Sequence, residues 1–236
     1  MKLDLEAINF HSIPTKEKEV LSMNEKRVEL LKSAEHLAEG LYGDIPYHNF
    51  QHAIDAVESG YELIAKCQAS GIEVDSDLVR YSLLFHDAGY HEDHGKEGFD
   101  SKEEYSAHLA EQSLRSLDIA EETIENVKKC IISTHKDKEF NRLEEKIVRA
   151  ADLVGLAGDY EQFRKNAVKL REEAEIISGN KISWEDWKKS VEVIIGFYLK
   201  QDIKLTECYM DKDGKSIFHN EAKKNLEIFM QENIAI

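Results

Sequence analysis

The stretch Asp75-Ser76-Asp77-Leu78-Val79-Arg80-Tyr81-Ser82-Leu83-Leu84-Phe85-His86-Asp87-Ala88-Gly89 decides how the chain is read. The acid-serine-acid opening suits a helix cap, and Leu78 to Phe85 form an apolar helix. An adjacent His-Asp pair then closes that helix just before a glycine. Helical segments continue on both sides. Upstream, one helix is expected from about Thr15 to Gly40, with Thr15 as its cap, and a second from near Asn49 to about Ala69. Downstream, helices are expected over Lys102–Leu117, Glu121–Thr134, Leu143–Leu156 and Asp159–Ile177. A further helix is capped by Ser183 and runs through Leu199, and a last one covers Asn220–Gln231. No useful period-2 strand pattern, repeat or low-complexity linker interrupts them. Two prolines and 12 glycines are too few for the many tight turns of an all-β sandwich. The expectation is an all-α bundle forming one domain over residues 1–236. Its chemistry-bearing core lies at about 47–158, and the helices of 159–236 pack on it.

Composition narrows the function. The chain carries 47 acidic and 31 basic residues, a net charge of −16. Such a surface repels phosphate backbones and anionic lipid, so bulk nucleic-acid or membrane binding is not expected. No apolar run reaches the ~20 residues of a membrane span. Met1 to His11 lacks the apolar centre of a signal peptide. Cys67, Cys130 and Cys208 are widely spaced and odd in number. Three reduced thiols in a cytoplasmic protein is the simplest account.

The ten histidines gather in unusual company. Tyr47-His48-Asn49-Phe50-Gln51-His52 sets two histidines four apart on one helix face. His86-Asp87 ends an apolar helix, and Thr134-His135 ends another. Asp152 is embedded in Ala150-Ala151-Asp152-Leu153-Val154-Gly155-Leu156. A carboxylate buried among apolar residues without a counter-charge costs several kcal/mol, roughly 3–5 when a partner is missing. A divalent metal removes that cost. Imidazoles with carboxylates suit ions such as Zn, Fe, Co, Ni or Mn. Ligands drawn from three helices can leave positions open for water and substrate.

The ordered set His52…His86-Asp87…Asp152 resembles the metal ligands of the HD-domain superfamily of metal-dependent phosphohydrolases. Tyr47 to His52 is also similar to the opening motif of the class I cyclic nucleotide phosphodiesterases. There the histidine at the His48 position donates a proton to the leaving group, and the one at the His52 position binds metal. A bacterial branch of predicted HD-domain hydrolases is similar over more of the chain. The matching motifs are Tyr47-His48-Asn49, His86-Asp87 with Tyr90, Glu103-Glu104-Tyr105-Ser106-Ala107, Thr134-His135, Asp152-Leu153 with Leu156-Ala157-Gly158, and Phe218 to Leu226. The resemblance implies an HD-type helical bundle with added N- and C-terminal helices. It also implies a divalent metal (Mn, Co, Ni, Fe, Zn or Mg) and a small phosphate mono- or diester substrate, with a nucleotide as the first expectation.

Two-metal members carry a further histidine where this chain has Lys102, so one ion is expected rather than two. At about 100° per residue, Glu103 shares a face with Ala107, Ala110, Leu114 and Leu117. It is the inward carboxylate, for water activation or for a salt bridge with an arginine. His108 falls with Glu104 and Gln112 on the polar face and is expected at the surface, paired with Glu104. His135 matches a superfamily histidine, as a ligand or as a hydrogen-bonding group. His48, Glu103 and His135 are thus the catalytic candidates, and His52, His86, Asp87 and Asp152 the metal ligands. His91 and His94 are expected in solvent near the site mouth. Arg80, Arg115, Lys136, Arg142 and Arg149 are candidate phosphate contacts. The helix at 159–177 is expected as a solvated face or a homo-oligomer surface. An HD-fold di-iron oxygenase and a non-catalytic metal-binding regulatory module are the alternative functions.

Overall fold

The computed structural model describes residues 15–201 and 210–232, with side chains from residue 22 onward. Ten helices are found there: α1 Thr15–Glu39, α2 Phe50–Ala69, α3 Ser76–Phe85, α4 Lys102–Ser116, α5 Glu121–Ile132, α6 Leu143–Asp152, α7 Val154–Ala157, α8 Tyr160–Ser178, α9 Trp184–Tyr198 and α10 Ile217–Gln231. The described residues hold no strand beyond one isolated bridge between Met210 and Ser216. The architecture is all-α, as the sequence implies. No described helix is long and apolar enough to cross a membrane.

The helices start where short polar side chains catch the free amides of a first turn. Asn49 Oδ1 accepts from Gln51 N and His52 N at 3.0 and 3.3 Å. Asp75 Oδ1 accepts from Leu78 N at 3.0 Å. Ser101, Asp159, Ser183 and Ser216 cap α4, α8, α9 and α10 in the same way. Each such cap contributes about 1 kcal/mol. The Thr15 side chain and Cys208 lie outside the described residues. Cys67 and Cys130 are buried, and burial pushes the Cys130 thiol up to about 12.

Helix α3 is the axis of the bundle. Leu78, Val79, Tyr81, Ser82, Leu83, Leu84 and Phe85 are all buried, and α1, α2, α5 and α6 pack around them. Arg27 of α1 clamps the start of α3 through two 2.6 Å bonds to Asp77. A smaller apolar cluster joins α8, α9 and α10 through Phe163, Ala167, Trp187, Val191, Ile195 and Phe229. Leu156 and Leu199 pack against both clusters.

Two boundaries differ from expectation by three residues or more. The helix expected over Leu143–Leu156 breaks at Leu153, giving α6 and the short α7. Asn225 of α10 makes the break tolerable, because its Nδ2 donates to Leu156 O at 3.1 Å and Gly158 O at 2.8 Å. Helix α10 also starts three residues earlier than expected, at Ile217, since Ser216 supplies the cap.

Leu84 is fully buried on the axial helix. Leu84→Ala is expected to cost about 2–5 kcal/mol, read as a fall in the urea midpoint at unchanged slope. A loss below about 1 kcal/mol would contradict the placement of α3 at the centre.

Candidate metal centre and its cavity

Three helices deliver four ligand atoms to one point. His52 sits in the first turn of α2, where Asn49 caps the helix. His86 and Asp87 follow the last residue of α3, and Asp152 ends α6. His86 Nε2 lies 3.1 Å from Asp87 Oδ2, 3.4 Å from Asp152 Oδ1 and 3.3 Å from His52 Nε2. His52 Nε2 lies 3.4 Å from each carboxylate. All four ligand atoms fall within 4.8 Å of one another. Tyr42 steadies the turn between α3 and Asp87, donating to Leu84 O at 3.0 Å and accepting from Asp87 N at 3.4 Å. Gly89 follows with φ +73°, and its amide donates to Leu41 O at 2.9 Å. A Cβ there would lie 2.6 Å from the Tyr105 ring, so this turn needs glycine.

The donor set fits a metal ion. His86 Nδ1 is 2.8 Å from Leu83 O. A carbonyl only accepts, so Nδ1 carries the hydrogen and the Nε2 lone pair of the neutral ring faces the carboxylates. That second contact is the usual way a protein orients a ligating imidazole. The charges show the same demand for a cation. Burial alone would raise Asp87 and Asp152, yet the facing imidazoles hold both below the usual carboxylate range. Burial alone would lower His52 and His86, yet the two carboxylates raise both. Positive charge belongs at this point, as protons or as an ion. The cluster can hold a metal ion by its geometry and its chemistry.

Beside the cluster opens a cavity of about 610 Å³ whose walls include Asp87, Asp152, His48, Tyr90, Lys102 and Glu103. The His48 ring stacks on Tyr90 with centroids 3.8 Å apart. Its Nδ1 contacts Glu173 Oε1, while Glu173 Oε2 accepts from Tyr47 N at 3.0 Å and His48 N at 2.9 Å. Lys102 Nζ sits 3.4 Å over the Tyr90 ring. Burial lowers the Lys102 ammonium, against the raising effect of Asp87, Glu173 and Glu103. Glu103 is half-buried at the cavity wall. It forms no hydrogen bond or ion pair with a described residue, so the arginine partner considered for it is not found there.

The other expectations divide. His135 is neither among the converging ligands nor on the cavity wall, which its neighbour Thr134 lines instead. Its Nδ1 accepts from Asp137 N at 3.3 Å, and its carbonyl accepts from Arg149 Nη2 at 2.6 Å. His108 is half-buried rather than fully at the surface, 5.0 Å from the Phe99 ring. Its hydrogen-bond neighbour is Gln112 and not Glu104. His91 lies against Gly43, and neither His91 nor His94 lines the cavity. None of the five candidate phosphate contacts lines it either. Arg80, Arg115 and Arg142 pair with Glu35, Glu111 and Glu144, Arg149 is fully buried, and Lys136 is exposed. Among the described residues, Lys102 is the cation that faces the cavity.

Glu173 was missed because α8 reads as a charged, solvated helix. It is 2% exposed. The available signal was its place three residues after Leu170 and six after Ala167, beside the inward stripe of that helix.

Comparison with solved structures gives a likeness in fold. The phosphodiesterase domain of Salpingoeca rosetta rhodopsin phosphodiesterase matches over 85% of this chain and 79% of its own, with a TM-score of 0.62 and 15% identity. No family model matches the chain, and no curated protein matches it. The chain shares the helical fold of that phosphodiesterase domain.

Two outcomes test the site. Asp87→Asn is expected to abolish uptake of one equivalent of Mn²⁺ or Zn²⁺, measured by elemental analysis after dialysis; full uptake would remove Asp87 from the ligand set. The second concerns Glu173, which burial would raise but His48 and two backbone amides hold below its ordinary value. Its stabilising contribution is therefore complete above about pH 4.3 and is lost as pH falls through the depressed value. The Tm gap between wild type and Glu173→Gln should be steady from about pH 5 to 7 and close below about pH 4. A gap that does not narrow at all as pH is lowered would show that lost packing, not lost charge, explains the variant.

Proposed function

We propose that the protein is a metal-dependent phosphohydrolase of HD-domain type that cleaves a small phosphate mono- or diester. The observation that carries this reading is the convergence of His52, His86, Asp87 and Asp152 beside a cavity faced by one imidazole and one ammonium. The phosphodiesterase domain of similar fold supports it. The net charge of −16 supports a small substrate over a polymer.

His52, His86, Asp87 and Asp152 would hold one divalent ion. Such an ion supplies a nucleophilic water at neutral pH and draws charge from a phosphoryl oxygen. The rest falls to the chain's own side chains. The Lys102 ammonium meets the non-bridging phosphate oxygens, and its seat on Tyr90 fixes where they lie. Glu103, free of other partners, takes the proton released as the water oxygen bonds to phosphorus. His48 gives a proton to the departing oxygen as the ester P–O bond breaks. Glu173 acts through His48 as a positioning residue. By accepting at Nδ1 it turns Nε2 toward the cavity and stabilises the imidazolium that donates.

Metal-replete protein is expected to release phosphate or alcohol from a panel of generic phosphoesters and nucleotides. His48→Gln should lower kcat by about 10²- to 10⁴-fold. Glu173→Gln should lower kcat less and shift the alkaline limb of the pH–rate profile downward, with KM little changed. If metal-replete protein turns over none of the panel while Asp87→Asn still abolishes metal uptake, the protein is a metal-binding module and the hydrolase reading fails.

A further inference from the structure

The cavity that meets the metal cluster continues between α8 and α9, whose side chains also meet in the smaller apolar cluster. On α8 the wall residues Phe163, Ala167, Leu170, Ala174 and Ile177 recur at spacings of four and three, one unbroken apolar stripe. At 1.5 Å per residue that stripe is about 21 Å long. Val191, Ile194 and Ile195 face it from α9. Ile177 and Ile194 are 61% and 47% exposed where the slot meets solvent. Phe163, Ala167, Val191 and Ile195 are already buried in the smaller apolar cluster, while Ile177 and Ile194 keep apolar surface at the slot, and covering it is worth about 25 cal/mol per Å². A ligand of matching character would cover it.

Resting on the phosphohydrolase reading, the geometry points to an amphipathic substrate: a phosphoester whose phosphate is held by the metal cluster and Lys102, and whose linear hydrocarbon chain fills the slot between α8 and α9. This replaces the nucleotide expectation. A nucleobase is read through hydrogen bonds to its edge, and the slot offers few. Asn166 Oδ1 already accepts from Gln162 Nε2 at 2.9 Å. Glu173 is committed to His48 and two backbone amides. The Trp187 indole nitrogen is fully buried and out of a ligand's reach. Most polar groups cluster around the candidate metal ligands, and the walls given by α8 and α9 are mostly hydrocarbon apart from Asn166, Glu173, Trp187 and Tyr198.

The test separates binding from turnover. Metal-loaded full-length protein is titrated calorimetrically with butyl-, hexyl-, octyl- and decylphosphonate, none hydrolysable, each below its micelle-forming concentration. Burial of each methylene is worth at most about fourfold in Kd, so a gain of at least tenfold from butyl to octyl is expected. Ile194→Asp and Ile177→Asp change exposed positions and should keep the wild-type Tm while losing most of that gain. A Kd independent of chain length, or adenosine monophosphate binding tighter than decylphosphonate, overturns the inference and leaves the hydrolase reading standing. So does a chain-length gain that survives unchanged in both variants, which marks nonspecific adsorption. A gain lost in the variants of a protein that hydrolyses no phosphoester supports the slot and sinks the hydrolase reading instead.

Discussion

Two carboxylates, Asp87 and Asp152, are held inside a helical core within 3.4 Å of two imidazoles. Much of the surrounding structure answers that constraint. Buried charge is tolerated only where opposite charge and hydrogen bonds meet it. The three helices that bring these groups together are therefore fixed at the ends that carry them. Asn49 caps α2 just before His52, Tyr42 pins the turn after α3, and Asn225 secures the break after α6. The apolar contacts of α3 supply most of the burial energy. The polar contacts decide which atoms point where.

Helix α8 serves two ends of the same cavity. Glu173 reaches His48 and the backbone that precedes α2, while the stripe from Phe163 to Ile177 lines the slot opposite α9. One helix thus sets both the orientation of the His48 ring and one wall of the apolar part of the cavity. A shift of α8 would disturb the two together. The four clustered histidine and aspartate side chains come instead from α2, α6 and the residues just after α3.

Much of this was legible in the residues. Helical spacing and caps locate most elements, because the Asp, Asn and Ser caps act through amides of their own first turn. His52, His86, Asp87 and Asp152 stand out as polar groups at the edges of apolar runs, a local conflict that only a shared partner resolves. Glu103 follows from helical phase. What escaped depends on contacts between distant segments. Glu173 meets His48 across 125 residues, and Lys102 gains its place by lying on Tyr90. The exit from α7 is held by Asn225, 69 residues from Leu156. The placement of His135 was equally hard to read: position at a helix end does not say which way a ring turns, and here its ring lies off the cavity wall while its carbonyl accepts from Arg149.

The Asn225 contacts also set an order in time. Synthesis proceeds from the N-terminus, so a nascent chain that has emerged through α9 already contains every ligand of the cluster. It still lacks the amide that seats the turn following Asp152. Until α10 leaves the ribosome, Leu156 and Gly158 keep carbonyls that this amide would otherwise satisfy, and Asp152 ends a helix with a loose exit. Closure of the His-Asp cluster in its final geometry is then a late event in the birth of the molecule, coupled to the docking of α10.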